Sequence, residues 1–99
     1  MSAYVVANYT VTNPEAFEPY VPAVMPTIAA GGGEVLVADF ESDPVEGNPG
    51  HVTVVLRFES KDAINAWYTS DEYEAVKGLR TDNSEGNITV ADGFVPPTD

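Results

Sequence analysis

Four side chains in this sequence have the chemistry to stabilise a negatively charged reactant: Asn8, Trp67, Tyr73 and Arg80. Amide, indole and phenol groups donate hydrogen bonds to an oxygen on which negative charge develops, and a guanidinium holds an anion in place. The same residues have a structural interpretation, because Trp and Tyr are good core residues and Arg favours the C-terminal end of a helix. We treat the four as a hypothetical catalytic set, with a purely structural role as the alternative.

Other polar residues give weaker signals for chemistry. His51 is the only His and could act as a general base, although a lone His beside a loop is more often solvated or at an interface. The acidic residues between positions 39 and 46 lack the Gly and the terminal Glu of a calcium-binding loop. The chain has no Cys, which excludes a thiol nucleophile and a thiolate metal site. The sequence predicts no cofactor and no metal.

Length and charge limit the classes of function. The 99 residues are enough for one domain, which we place at 1–95, followed by a C-terminal tail at 96–99. Sixteen acidic and four basic side chains give a net charge of −12, which repels phosphate groups and argues against nucleic acid and anionic membranes as partners. No apolar run reaches the ~18 residues of a membrane helix, and no secretory signal is visible, so we expect a cytoplasmic protein.

The elements that must position these side chains follow the order βαββαβ. Alternating apolar residues predict strands at 3–11, 34–40, 51–59 and 88–94. A helix is predicted at 14–30, starting after Asn13 as its cap and ending at a run of three glycines. A second helical region, up to Arg80, is predicted in two pieces that Ser60 and Ser70 cap.

Three prolines in the first helix predict that it is bent or locally broken. An interior Pro costs a helix about 3 kcal/mol because it removes a backbone hydrogen bond and clashes with the preceding turn. Pro19, Pro22 and Pro26 all fall on the face opposite the apolar stripe. On a solvent-facing side the freed carbonyls can bond to water, so the helix can persist with a bend.

A βαββαβ order is typical of the ferredoxin-like fold, an α+β architecture in which two helices cover one face of a four-stranded antiparallel sheet. The other face of the sheet would then be exposed in a monomer. On it, Val55 lies between Thr53 and Arg57, a mixture of apolar and polar character that suits contact between two sheets. We therefore expect a homodimer formed through the sheet.

Several segments resemble a bacterial family known as domain of unknown function 1330, and the similarity covers nearly the whole chain. The resemblance lies in Asn13-Pro14-Glu15-Ala16-Phe17, Tyr20, Pro26, Gly31-Gly32, Glu46-Gly47, Phe58-Glu59-Ser60, Ala66-Trp67-Tyr68, Ser70, Glu72-Tyr73 and Leu79-Arg80. It implies membership of the dimeric α+β barrel superfamily and no agreed activity. The chain departs from the family at Ala38-Asp39 and Gly50-His51, where the family tends to have basic residues, so the anion-binding role of those residues does not carry over.

The superfamily implies two activities to compare. Its cofactor-independent monooxygenases surround a phenolic substrate with an Asn, a Trp, a Tyr and an Arg. Asn8 and Trp67 lie at comparable places in this sequence, whereas Tyr73 and Arg80 match more loosely. Its haem-degrading members use an axial His, where this chain has Lys77, a poor haem ligand.

Three functions stay open on the sequence alone. The preferred one is a small-molecule binding protein with a pocket between sheet and helices near Trp67. The second is a cofactor-independent oxygenase acting on an activated aromatic or enolisable compound. The third is a dimeric interaction module with no small-molecule ligand.

Overall fold

The computed structural model describes residues 2–97, so Met1 and the last two residues of the predicted tail lie outside the described part of the chain. Strands and helices alternate in the predicted βαββαβ order, with each helical region divided into two segments. In chain order the elements are β1 (Ala3–Val11), α1 (Pro14–Phe17), α2 (Tyr20–Ala30), β2 (Glu34–Asp39), β3 (Val52–Phe58), α3 (Lys61–Tyr68), α4 (Asp71–Thr81) and β4 (Ser84–Asp92).

The four strands form one sheet in the order β2-β3-β1-β4, with every neighbouring pair antiparallel. This is the strand order of a ferredoxin-like fold, so the fold class predicted from the sequence is confirmed. The two central strands, β1 and β3, are also the strands with the most regular alternation of apolar residues. Their alternation gives the sheet two chemically different faces.

The helix starts are those that the sequence predicts. Asn13, Ser60 and Ser70 each accept a hydrogen bond from the backbone N–H three residues later, which satisfies a donor that the first helical turn leaves unpaired. The first helix is broken at residues 18 and 19, and Pro19, Pro22 and Pro26 are exposed on its outer side, as predicted.

The last strand begins four residues earlier than the predicted strand at 88–94 and ends at Asp92. Residues 84–87 contain Ser, Gly and Asn and suggest a loop, but they complete the pairing of β4 with the second half of β1. Gly86 lies directly over Tyr9, where an added Cβ would come within 2.4 Å of the Asn8 carbonyl oxygen. The small residue that suggests a turn therefore permits a close approach of two strands.

The core lies between the helices and one face of the sheet, which we call the inner face. Odd-numbered residues of β1 point into it, and α2, α3 and α4 cover it. Its largest fully enclosed side chains are Tyr73 and Phe58, and Trp67 packs between them with ring centroids 4.4 and 5.3 Å away. The opposite face, which we call the outer face, is covered by no helix of residues 2–97.

Within residues 2–97, no helix combines the length and the apolar character needed to cross a membrane. The cytoplasmic location stays a prediction.

Candidate functional site

A cavity of about 70 Å³, open to the surface on one side, lies between the inner face of the sheet and the helices, and we call it the interior cavity. Most of its wall is apolar, with side chains from all the layers of the fold, such as Val24, Leu56 and Ile88. Polar atoms are concentrated in four side chains at one part of the wall: Tyr9 from β1, Tyr20 from α2, and Tyr73 and Arg80 from α4.

The two residues from α4 share a face because they are seven positions apart, which is close to two helical turns. Arg80 approaches the Tyr73 hydroxyl with Nε at 3.4 Å and Nη2 at 3.3 Å. The Tyr73 hydroxyl lies 2.9 Å from the Tyr20 hydroxyl, in a hydrogen bond that either group can donate. The structure thus brings Tyr73 and Arg80 together, as the catalytic hypothesis requires, and adds Tyr20.

Arg80 is a buried cation without an acidic partner among the described residues. Its side chain is only 9% exposed. The three ion pairs in residues 2–97 occupy the other three basic side chains, Arg57, Lys61 and Lys77, all of them nearer the surface. Sixteen acids are available in the chain, and none pairs with Arg80 in this part of it. Buried charges are normally paired, so this one calls for an explanation.

The phenols of Tyr9 and Tyr20, near Arg80, stay protonated at neutral pH. Burial raises the pKa of Tyr9 to about 12, against the opposing effect of the Arg80 charge. Burial also raises the pKa of Tyr20, and the neighbouring Tyr73 adds to this rise. Burial disfavours the charge on Arg80, but Tyr73 and Tyr20 outweigh it, so the pKa of Arg80 is raised and the guanidinium stays charged. The polar end of the cavity therefore places a cation near the neutral hydroxyl groups of Tyr9 and Tyr20.

Trp67 contributes its ring to the cavity but not its N–H group. The indole nitrogen donates to the Thr27 hydroxyl at 3.1 Å, and Thr27 in turn donates to the Val24 carbonyl at 2.7 Å. The indole is 5% exposed and lines the cavity with an aromatic surface. In this structure Trp67 is a wall of the site, and its hydrogen bond is already used by α2.

Asn8 lies on the outer face of the sheet and does not reach the cavity. Its side-chain oxygen accepts from the Gly50 N–H at 2.7 Å, and its amide nitrogen donates to the carbonyl oxygens of Gly50 and Val52, both at 3.1 Å. The same nitrogen lies 3.2 Å from the Thr53 hydroxyl, to which Ser42 donates. Asn8 therefore does not share this cavity with Trp67, Tyr73 and Arg80, because alternate residues of β1 point to opposite faces.

His51 has both ring nitrogens bonded to the backbone. Nε2 accepts a hydrogen bond from the Val11 N–H at 3.1 Å, and Nδ1 donates to the Phe40 carbonyl at 2.9 Å. The ring therefore links the ends of β1 and β2, and neither nitrogen is free to act as a general base in this arrangement. Among residues 2–97, no three His, Asp or Glu side chains come close enough to hold a metal ion together.

The sequence analysis missed two members of the site, Tyr9 and Tyr20. Both fall on apolar faces, Tyr9 on a strand and Tyr20 on the stripe of the first helix, where the sequence pattern indicates only core residues. The available signal was the phenol itself, because a buried Tyr hydroxyl needs a polar partner. A second cavity of about 370 Å³ lies between α3 and β4; it shares Val5, Trp67 and Ile88 with the first and is also lined by Lys61, which pairs with Asp92.

Solved structures place the fold in a known class. A protein of unknown function from Rhodopseudomonas palustris matches with a TM-score of 0.73 and 13% identity, over 96% of this chain and 84% of that chain. SnoaB, a cofactor-independent oxygenase from Streptomyces nogalater, matches with a TM-score of 0.68 and 13% identity, over 99% of this chain and 95% of that chain. A dimeric protein of unknown function with a ferredoxin-like fold, from Bacteroides fragilis, matches with a TM-score of 0.59 and 10% identity, over 93% of this chain and 96% of that chain. These TM-scores show a shared ferredoxin-like α+β fold.

The chain itself belongs to the family described as Domain of unknown function (DUF1330), whose model matches residues 2–94. No curated protein sequence matches it. The family resemblance seen in the sequence is thereby confirmed, and it assigns no activity.

Proposed function

We propose that this protein binds a small molecule in the interior cavity between the sheet and the helices. The observation that carries the proposal is the convergence of Arg80, Tyr73 and Tyr20 at one part of an otherwise apolar wall. Binding sites for small molecules are typically apolar concavities in which a few polar groups fix the orientation of the ligand. A cavity that served only as a packing defect would have no reason to contain a buried cation.

The route into this cavity runs between α2 and the end of β2. Met25 and Phe40 are large apolar side chains that line the cavity and yet are 46% and 39% exposed. Ala38, a small exposed residue on β2, lines the same side. A small residue at the mouth leaves room for entry, and the apolar neighbours favour a ligand with an apolar part.

Trp67 makes the proposal testable, because the only Trp of the chain forms part of the cavity wall. We expect a ligand that enters the cavity to change the intensity or wavelength of its emission. The experiment titrates phenol, hydroquinone, propionate and propionamide and follows the fluorescence of Trp67 together with the melting temperature.

The variant Ala38→Leu narrows the mouth and is expected to weaken any binding that is found. Ala75→Leu, at an exposed position of α4 away from the cavity, is the matched control. The proposal fails if none of the four compounds changes the emission, or if Ala38→Leu and Ala75→Leu bind equally well.

A cofactor-independent oxygenase is the second candidate, supported by the structural likeness to SnoaB. In this chain Tyr73 and Arg80 would hold the substrate anion, since Asn8 lies on the outer face and the Trp67 N–H donates to Thr27. The test is oxygen consumption with hydroquinones, comparing the wild type with Tyr73→Phe and Asn8→Ala. The proposal requires loss of turnover in Tyr73→Phe and unchanged turnover in Asn8→Ala. The absence of turnover in the wild type ends it.

The outer face of the sheet supports the predicted homodimer. Val6, Val55 and Val37 lie side by side across three strands, and Val6 and Val37 are 37% and 41% exposed. The structural neighbour from Bacteroides fragilis is described as dimeric. Light scattering at micromolar concentration is expected to give the mass of a dimer, and Val6→Glu the mass of a monomer. A wild type that is monomeric contradicts the prediction.

A further inference from the structure

We propose that the ligand of the interior cavity is a small carboxylate, with its charged head against Arg80 and a short apolar body. The inference rests on the proposed function and names the chemical class of the ligand. Its starting point is the contrast between Arg80 and the other three basic residues, each of which has an acidic partner within the chain.

No acid among residues 2–97 pairs with Arg80. Its only hydrogen-bond partner among them is the Tyr73 hydroxyl, which Nε and Nη2 both approach. No fully enclosed polar side-chain atom in the described chain lacks a hydrogen bond, so Nη1 is not sealed in the core. A planar guanidinium with donors to spare is suited to binding a carboxylate through two parallel hydrogen bonds.

The tyrosine pair supplies a further donor for the same anion. Tyr20 and Tyr73 have two hydroxyl protons between them and share one hydrogen bond, so one O–H remains to be directed elsewhere. Burial keeps the Tyr20 hydroxyl protonated at neutral pH. A carboxylate accepts hydrogen bonds through both oxygens, and it can therefore take one bond from a phenol while it pairs with Arg80.

The volume of the cavity limits the size of the ligand. A water molecule needs roughly 10–15 Å³ of such space, so a cavity of about 70 Å³ has room for about five to seven groups of that size. This is room for a carboxylate head with one or two further carbon atoms, whereas a polycyclic substrate would need the helices to move apart. The apolar wall formed by Val24, Leu56 and Ile88 suits such a short hydrocarbon body.

The surface of the protein does not favour anions. A net charge of −12 repels them at long range, so the affinity has to come from the buried guanidinium. The preference is thus local and depends on one residue. Arg57, which is exposed and paired with Glu34, is a matched control with the same side chain in a different environment.

The experiment is a titration of the wild-type protein with propionate, its neutral isostere propionamide, and phenol, followed by Trp67 emission and calorimetry. We expect propionate to bind at least tenfold more tightly than propionamide. Hydrogen bonds to a charged group correspond to roughly 10- to 100-fold in affinity, so Arg80→Met should weaken propionate binding by that factor. Arg57→Gln should change it by less than twofold.

The outcomes separate the inference from the proposed function. Equal binding of propionate and propionamide to the wild type, or full propionate binding by folded Arg80→Met, overturns the inference. Binding of phenol without propionate overturns the inference and leaves the small-molecule function standing. No response to any of the three compounds contradicts both. If Arg80→Met does not fold, the comparison of the two isosteres on the wild type decides the matter alone.

Discussion

Asn8 and Arg80 are both polar residues in or beside the sheet, and they differ in how their hydrogen bonds are completed. On the outer face, the Asn8 amide is fully used by Gly50, Val52 and Thr53. On the inner face, Arg80 is more deeply buried and has a single tyrosine hydroxyl as its partner among the described residues. Groups within the chain satisfy the hydrogen bonds of the Asn8 amide, whereas the Arg80 guanidinium keeps donors without a partner among the described residues.

This difference distinguishes polar residues that stabilise the fold from polar residues that are suited to binding a ligand. A side chain whose hydrogen-bonding capacity is satisfied by the backbone stabilises the fold, and its loss costs the desolvation energy of the groups left behind. A buried charge without an acidic partner costs desolvation energy, and we infer that Arg80 is retained because a ligand supplies the missing partner. By this criterion we assign Asn8 to the fold and, under the proposed function, Arg80 to the site.

The largest effect is expected at Gly50, which completes the Asn8 cluster. A Cβ at this position would lie 2.2 Å from the Tyr9 carbonyl carbon, a backbone atom that cannot give way without moving β1. We expect Gly50→Ala to lower the free energy of unfolding by about 3 kcal/mol or more. Denaturant unfolding measures it.

Gly78→Ala is the control for that substitution. Gly78 lies in α4, and the nearest atom to an added Cβ is an Asp82 carboxylate oxygen at 3.5 Å. Because Ala favours a helix over Gly, we expect the free energy of unfolding to rise by about 0.5–1 kcal/mol. Equal effects at Gly50 and Gly78 would contradict the described packing of the outer face.

Asn8→Ala tests the structural assignment directly. It removes the hydrogen bonds to Gly50, Val52 and Thr53 and is expected to cost about 2 kcal/mol in stability. Ligand binding in the interior cavity should be unchanged. Thr10→Ala, on the same face and exposed, should stay within about 0.5 kcal/mol of the wild type. A loss of ligand binding in folded Asn8→Ala would return this residue to the site.

The buried tyrosines near Arg80 predict that the stability of the protein depends on pH in the alkaline range. Tyr9 has a pKa of about 12 in the folded protein, raised mainly by burial from its ordinary value of 10.0. Because the pKa of Tyr9 is higher in the folded than in the unfolded protein, the stability that Tyr9 contributes is complete below pH 10. This stability is lost as the pH rises towards 12. The free energy of unfolding should therefore fall over this range.

The free energy of unfolding of the Tyr9→Phe variant should fall less steeply than that of the wild type over the same pH range. Lys77, whose pKa is raised by its hydrogen bond to Glu74, and Tyr20, whose pKa is raised by burial, contribute losses of the same sign to both proteins, so the difference between the two proteins isolates Tyr9. Parallel curves for the two proteins would exclude a buried Tyr9 hydroxyl.

The fold was predictable because its signals are local. The caps at Asn13, Ser60 and Ser70 and the alternation of apolar residues in β1 and β3 depend on neighbours within a few positions. Resemblance to the family added the same architecture. The start of β4 was not predictable, since Gly86 resembles a turn residue unless its partner strand is known.

The site was only partly predictable because it depends on which face each residue occupies. The alternation of β1 was visible in the sequence and already separated Asn8 from its odd-numbered neighbours. What it could not show is that the helices cover the odd-numbered face, that Trp67 donates to Thr27, or that Arg80 lacks an acid. Those facts depend on contacts between residues far apart in the chain.

The most direct test of the account is the stability of Arg80→Met without ligand. Met has a similar length and no charge, so it relieves the desolvation of the unpaired guanidinium and keeps most of the packing. We predict that the free energy of unfolding is unchanged or rises by about 1 kcal/mol. A fall of about 2 kcal/mol, similar to that expected for Asn8→Ala, would show that Arg80 is a structural residue and contradict the account.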